Sequence, residues 1–232
     1  AMLDLPIEVG DPAIQDMLVA SARNILQARE RRNGRIEFQV GPTIYRGVWV
    51  VDSYFFLEAA RYLGFDADAE EGLDALMARE RDDGAIEEMN FHYKETAIAL
   101  ATLVRQAQLA GDPDLLRRYW GAVERAVTYV LRRIDESLRL PEGAPNRGLL
   151  PSSMADGGAG GMRPEYTTAL WTWVGLDAVA HAASTLGLND VGARNAADAL
   201  LERILRGRDR DRATTAEGVP YWPMVMPGSG EH

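Results

Sequence analysis

The residues of this chain that could do chemistry gather in three stretches. Asp52 stands between Trp49 and Tyr54; Glu87 to Glu95 holds His92, Tyr93, Lys94 and Glu95; Asp156 and Glu165 bracket the run Gly157-Gly158-Ala159-Gly160-Gly161. Such groups suit a hydroxyl-rich ligand. Carboxylates accept hydrogen bonds from hydroxyls, Lys94 donates them, and Trp49, Tyr221 and Trp222 offer flat faces on which apolar C–H surfaces can stack. Each residue also has a plainer reading. Asp52 reads equally as a helix N-cap, Asp156-Gly157 as a turn, and Glu95 as a first-turn acid facing the helix dipole. His92 could bind hydroxyls or a carboxylate, or act as acid or base, but a lone histidine is more often structural. Trp120, Trp171 and Trp173 fall inside helical stretches and read as core; His181 reads as core or interface.

Several chemistries are excluded or unsupported. The absence of cysteine rules out thiolate catalysis, disulfides and cysteine-bound metals. His92, His181 and His232 are too scattered to imply zinc, and neither a phosphate-cradling glycine loop nor a nucleophile elbow occurs, so no cofactor or metal is expected. A net charge of -10 argues against nucleic acid and anionic membrane as partners. No apolar run approaches the roughly 20 residues of a membrane helix. Ala1-Met2-Leu3-Asp4 does not begin a signal peptide, which favours the cytoplasm without fixing the compartment. Oligomeric state is not legible.

The elements that must position these residues are helical. Asp11-Pro12 starts a first helix, with Ile14, Met17, Leu18, Ile25 and Leu26 on one face and polar Arg29 to Asn33 at its end. Ile36, Phe38 and Val40 alternate with polar residues, as in a short strand or extended loop. Periodicity then predicts helices over about 52–63, from Asp66 to before Asp83-Gly84, and over about 95–110, 113–136, 166–186 and 190–206. In the 113–136 stretch, Leu116, Trp120, Val123, Val127, Val130 and Ile134 form an apolar stripe.

Three short turns, Gly64-Phe65-Asp66, Gly111-Asp112-Pro113 and Gly187-Leu188-Asn189, join these helices in pairs, with long loops between the pairs. Antiparallel helices then place the short turns at one end and the long loops, with the polar clusters, at the other. The small, charge-poor helix after Tyr166 looks crowded, whereas its neighbours carry charge. This suits an inner ring of the second, fourth and sixth helices and an outer ring of the third, fifth and seventh. The predicted fold is all-α: antiparallel hairpins in an α/α-toroid arrangement, one domain over residues 1–232 or a fragment of one. A tetratricopeptide-type solenoid is the rival, but the repeat is irregular and lacks a consensus.

Two segments carry a resemblance. Tyr45-Arg46-Gly47-Val48-Trp49-Val50-Val51-Asp52-Ser53-Tyr54-Phe55-Phe56, followed by Tyr62-Leu63-Gly64, resembles the aromatic-x-x-Asp approach to an inner helix in six-hairpin glycosidases. These include glucoamylases, processing α-glucosidases, glycogen-debranching enzymes and rhamnosidases. Val51 stands where that family has arginine. Gly148-Leu149-Leu150-Pro151, Asp156-Gly157-Gly158, Glu165-Tyr166 and Leu170-Trp171 resemble the later loop, which carries the general acid in those enzymes.

The resemblance implies inverting hydrolysis of an oligosaccharide or glycoside, which needs two carboxylates roughly 6.5–9.5 Å apart. Asp156 would be the acid and Glu165 a weaker candidate for the second carboxylate. Trp49, Asp52, Tyr54, His92, Lys94, Glu95 and Trp222 would hold the saccharide, with the base at Glu231 or beyond His232. Two alternatives stand beside it: a toroid epimerase or lyase using His92 and Tyr93, and a non-catalytic helical scaffold or incomplete domain. A closed six-hairpin toroid needs many more helices than the seven legible here, as expected of one portion of a longer protein.

Overall fold

The computed structural model describes residues 7–41, 43–155 and 160–228. Its helices are α1 (Pro12–Gln27), α2 (Val50–Tyr62), α3 (Asp66–Met77), α4 (Lys94–Ala110), α5 (Pro113–Leu138), α6 (Tyr166–Leu186) and α7 (Ala193–Asp211). Three small two-stranded antiparallel ribbons complete the described residues: β1 (Arg29–Arg32) with β2 (Arg35–Phe38), β3 (Ser153–Met154) with β4 (Met162–Arg163), and β5 (Ala213–Thr214) with β6 (Pro220–Tyr221). The fold is all-α, as the periodicity predicts.

Local chemistry sets the hairpins. Asp11 caps α1 by accepting from the Ala13 and Ile14 N–H groups, and Asp112 caps α5 by accepting from Asp114. In both cases proline follows at the first helical position, where its missing N–H costs nothing. Helices α4 and α6 end on the left-handed Gly111 and Gly187. The three hairpins α2–α3, α4–α5 and α6–α7 lie in two layers. Helix α4 packs between α2 and α6 in the inner layer, and α3, α5 and α7 form the outer one.

Helix α4 is buried from Lys94 through Val104, polar residues included. Its alanines permit close approach, and Gly175 of α6 meets it there: a Cβ at Gly175 would lie 2.2 Å from the Ala97 carbonyl oxygen. The expected stripe of α5 faces the core through Leu116, Trp120, Val123, Val127, Val130 and Ile134.

Several expectations are corrected. The polar run after α1 is not a helix end but strand β1, and Asn33-Gly34 forms the hairpin turn to β2. Both turn residues have positive φ, 50° and 83°, the geometry that Asn-Gly favours. Helix α2 begins at Val50 with Trp49 as its N-cap, so Asp52 lies in the first turn and is not the cap. Helix α3 stops at Met77, because residues 81–85 form a separate turn closed by bonds from Gly84 N to Arg81 O and from Arg81 N to Ala85 O. Helix α7 continues to Asp211, with Arg208 and Arg210 in a last turn that favours cations. His181 is exposed and held by Asp177, while Trp171 and Trp173 are half-buried.

Gly175→Ala should destabilise the protein by about 1–3 kcal/mol, the usual range for overpacking. Gly121→Ala, whose new methyl would meet only the Arg125 side chain at 3.8 Å, should be neutral or stabilising by up to about 1 kcal/mol. Urea unfolding midpoints of the two variants test the contrast; equal shifts would mean that the α4–α6 contact is not tight.

Candidate functional site

The long loops meet at one end of the hairpins. The loop before α4 is tied to the loop before α6 by a bond from Met154 N to Phe91 O (3.0 Å). The Ser153 and Thr168 hydroxyls, 3.0 Å apart, brace the same junction. The approach to α2 reaches it as well: a Cβ on Gly47 would lie 3.0 Å from Glu88 Oε1. The segment after β6 pairs with Pro164–Tyr166 through Tyr166 N to Met224 O and Met226 N to Pro164 O, both 2.9 Å.

At this junction the structure brings together four of the predicted residues. Lys94 Nζ lies 3.7 Å from Glu165 Oε2, and His92 Nδ1 lies 3.0 Å from Glu95 Oε1. All four are inside: His92 is 4% exposed, Lys94 1%, Glu95 0% and Glu165 2%. Taking ions out of water costs several kcal/mol each, so more than one compensating contact is needed. Both carboxylates sit at helix N-termini, Glu165 as N-cap of α6 and Glu95 in the first turn of α4, where a dipole favours negative charge by up to about 2 kcal/mol in partly buried settings. Glu95 Oε2 also accepts the Glu88 N–H at 2.7 Å, and Glu165 Oε2 accepts the Thr167 hydroxyl at 3.1 Å. Lys94 faces the same positive dipole end, which disfavours a cation, and Glu165 at 3.7 Å offsets part of this. Lys94 is the only lysine among 25 basic residues. Glu165 Oε1 has no hydrogen-bond partner among the described residues. Glu95 Oε1 also lacks one but faces His92 Nδ1 at 3.0 Å, whereas Glu165 Oε1 is left to a ligand, a water or a rearranged loop.

The aromatic candidates are more scattered. Trp49 is half-buried, donates through Nε1 to the Tyr45 carbonyl at 3.2 Å and stands edge-on to the exposed Tyr45 ring. Tyr54 meets Trp171 of α6 at 5.5 Å between ring centroids. Trp222 packs on Tyr166 at 4.4 Å, next to Glu165. Asp52 is half-buried in the first turn of α2. Asp156 and Glu231 lie outside the described residues.

Sequence reasoning did not single out Glu87 and Tyr129. The Tyr129 hydroxyl donates to Glu87 Oε1 at 2.5 Å, and Arg81 Nη1 stands 3.5 Å from the other oxygen. Burial pushes the Glu87 carboxyl above its ordinary 4.5, outweighing the tyrosine bond and Arg81. Burial also raises the Tyr129 hydroxyl, helped by its bond to Glu87. Glu88 pairs with Arg79. The available signal was two adjacent glutamates following the apolar Ala85-Ile86; their partners, Tyr129 on α5 and Arg79 and Arg81 after α3, could not be read from it.

Among the described residues no group of His, Asp and Glu could hold a metal ion, and no helix is long and apolar enough to cross a membrane.

No protein-family model matches this chain, and no curated protein matches its sequence. Solved structures do match its fold. A wild-type glycosidase superposes with a TM-score of 0.60 at 18% identity, over 94% of this chain and 62% of that one. A glycosidase variant in complex with glucose superposes with a TM-score of 0.59, also at 18% identity and with the same coverage. The chain therefore spans less than two thirds of these proteins. At such identity the likeness is one of fold: this is an all-α hairpin protein of glycosidase-like architecture.

Two expectations concern the buried charges. Lys94→Met, which leaves Glu165 without its cation, should cost about 3–5 kcal/mol in urea unfolding. A loss below about 1 kcal/mol, as for an exposed pair, would refute the paired, buried state. For Glu87 the folded-state pKa lies above the unfolded one. Its contribution is therefore most favourable below the unfolded value and is lost as pH rises through the folded value. Glu87→Gln keeps an acceptor for Tyr129 without the charge. Its stability relative to wild type should improve between pH values below 4.5 and neutrality; a pH-independent difference would contradict the assigned cause.

Proposed function

We propose that this chain forms the saccharide-handling part of a glycoside hydrolase acting on an oligosaccharide or glycoside with inversion. The supporting observation is the buried Lys94–Glu165 pair (3.7 Å) at the root of the loop that carries Asp156, on a fold shared with glycosidases. In this reading Asp156 is the general acid on a glycine-rich loop that can approach a sugar closely. Lys94, Thr167 and the α6 N-terminus hold Glu165 in one position, with its second oxygen left for a hydroxyl or a water. Trp49, Asp52 and Tyr54 form the saccharide wall across from it, and His92 and Glu95 fix the loop before α4. Trp222 holds Tyr166 and, through it, the start of α6. Glucose bound to one of the similar glycosidases makes glucosides the first substrates to try. The base would be Glu231 or a carboxylate outside these 232 residues, and the hairpins would belong to a larger α/α toroid.

Hydrolysis of α- and β-glucosides followed by proton NMR reads both activity and anomeric outcome. Wild type should release the inverted anomer, and Asp156→Asn should slow release by about 10²–10⁴-fold without moving the unfolding midpoint. Retention of configuration would reject inversion. No hydrolysis of glycosides, with an epimerised or unsaturated sugar product that is lost in His92→Gln, would instead favour an epimerase or lyase. No turnover and no saturable sugar binding would leave the helical scaffold.

A further inference from the structure

Away from this junction, on the outer side of the same end, four arginines surround one cavity. Arg147 from the 139–149 loop and Arg203, Arg206 and Arg210 from α7 line a recess of about 360 Å³, with Leu138 and Leu149 in its floor and no carboxylate in its wall. In sequence, Asp209, Asp211 and the arginines of residues 203–212 read as a solvated helix end and loop. The structure turns it toward a loop that α7 holds in place.

Three of the arginines are anchored on neutral acceptors. Arg147 Nε donates to Leu140 O at 3.1 Å, Arg203 Nη1 to Gly148 O at 3.0 Å and Arg210 Nη2 to Pro145 O at 3.2 Å. Carbonyls orient a guanidinium without cancelling its charge. Arg206 has Glu202 and Arg210 has Asp211, but Arg147 and Arg203 have no carboxylate at ion-pair distance among the described residues. Two positive charges therefore remain. The C-termini of α5 and α7 lie nearby and return about half a negative charge each, so a net excess of about one positive charge survives. That is notable in a chain of net charge -10, where this surface opposes the overall field. The unused donors are also of the right kind. Arg147 keeps both Nη groups and Arg203 keeps Nε and Nη2, forks that match the paired oxygens of an oxyanion.

We propose that this cavity binds a small oxyanion of the phosphate or phosphate-ester class. The cavity includes neither Lys94 nor Glu165, touching that junction only where Arg210 Nη2 reaches the Tyr166 hydroxyl at 3.3 Å, and it does not depend on the hydrolase reading.

Isothermal titration of the chain with sodium phosphate and with sodium pyrophosphate, against sodium chloride at matched ionic strength, tests it. Saturable one-to-one binding is expected, tighter for pyrophosphate. Arg147→Gln, an exposed change, should weaken it about tenfold or more. Arg23→Gln, an equal charge change on α1, should leave it unaltered. Arg203→Gln should act like Arg147→Gln; if loss of the Gly148 contact unfolds it, Arg147→Gln decides alone. Heats no larger than those of chloride, or equal losses in Arg23→Gln and Arg147→Gln, would overturn the proposal by showing only diffuse charge screening.

Discussion

The close approach of α4 to α6 is the constraint on which the rest depends. Because Gly175 has no side chain and α4 presents alanines, the Ala97 carbonyl and the α6 backbone come nearly into contact. Helix α4 is then shut off from water along most of its length, and its polar groups must look for partners within the protein. Most but not all of them find one, since Gln106 Nε2 and Glu95 Oε1 make no hydrogen bond among the described residues. Thr102 returns its hydroxyl to Ile98 O, Gln106 accepts from Arg61, and Thr96 accepts from Ile86 N. At the N-terminus the same demand falls on Lys94 and Glu95. The charged junction is a consequence of how tightly the inner layer packs.

That junction combines unfavourable burial with several modest compensations. The Lys94–Glu165 contact, at 3.7 Å, is longer than a hydrogen bond and offsets only part of the desolvation of the two groups. The α6 dipole and the Thr167 hydroxyl add to the balance for Glu165, and the α4 dipole and the backbone N–H of Glu88 do so for Glu95. Both flanks of the junction are anchored: the loop before α4 by Tyr129 and Arg79, and the segment after β6 by backbone pairing with Glu165, by Trp222 on Tyr166 and by the buried Met226.

The helices were legible because their signals are local. Asp11-Pro12, Asp112-Pro113, Gly111 and Gly187 are start and stop signals that act within one turn, and the apolar stripe of α5 reports burial directly through its period. The alternation of Ile36 and Phe38 announced β2, but β1 was misread because a charged run beside a helix looks like a fraying end. The Asn33-Gly34 turn that contradicts this occupies only two positions. Asp52 was placed one turn too early because an acidic residue near a helix start suits the cap and the first turn alike.

Sequence alone thus determined the all-α class, the pairing of helices by short turns, and the gathering of polar residues in the long loops, all of which follow from residue periodicity and turn chemistry. Only the tertiary structure decided which of those residues share a site. Lys94 and Glu165 are separated by two helices in the chain, as are Glu87 and Tyr129 by one, and no local pattern encodes their distance. Nor could sequence show that His92, Lys94, Glu95 and Glu165 are buried, since charged residues in loops ordinarily meet water. Their burial arises from the packing of α4 against α6 and from the strand-like segment laid across Glu165, contacts between parts of the chain that only folding brings together.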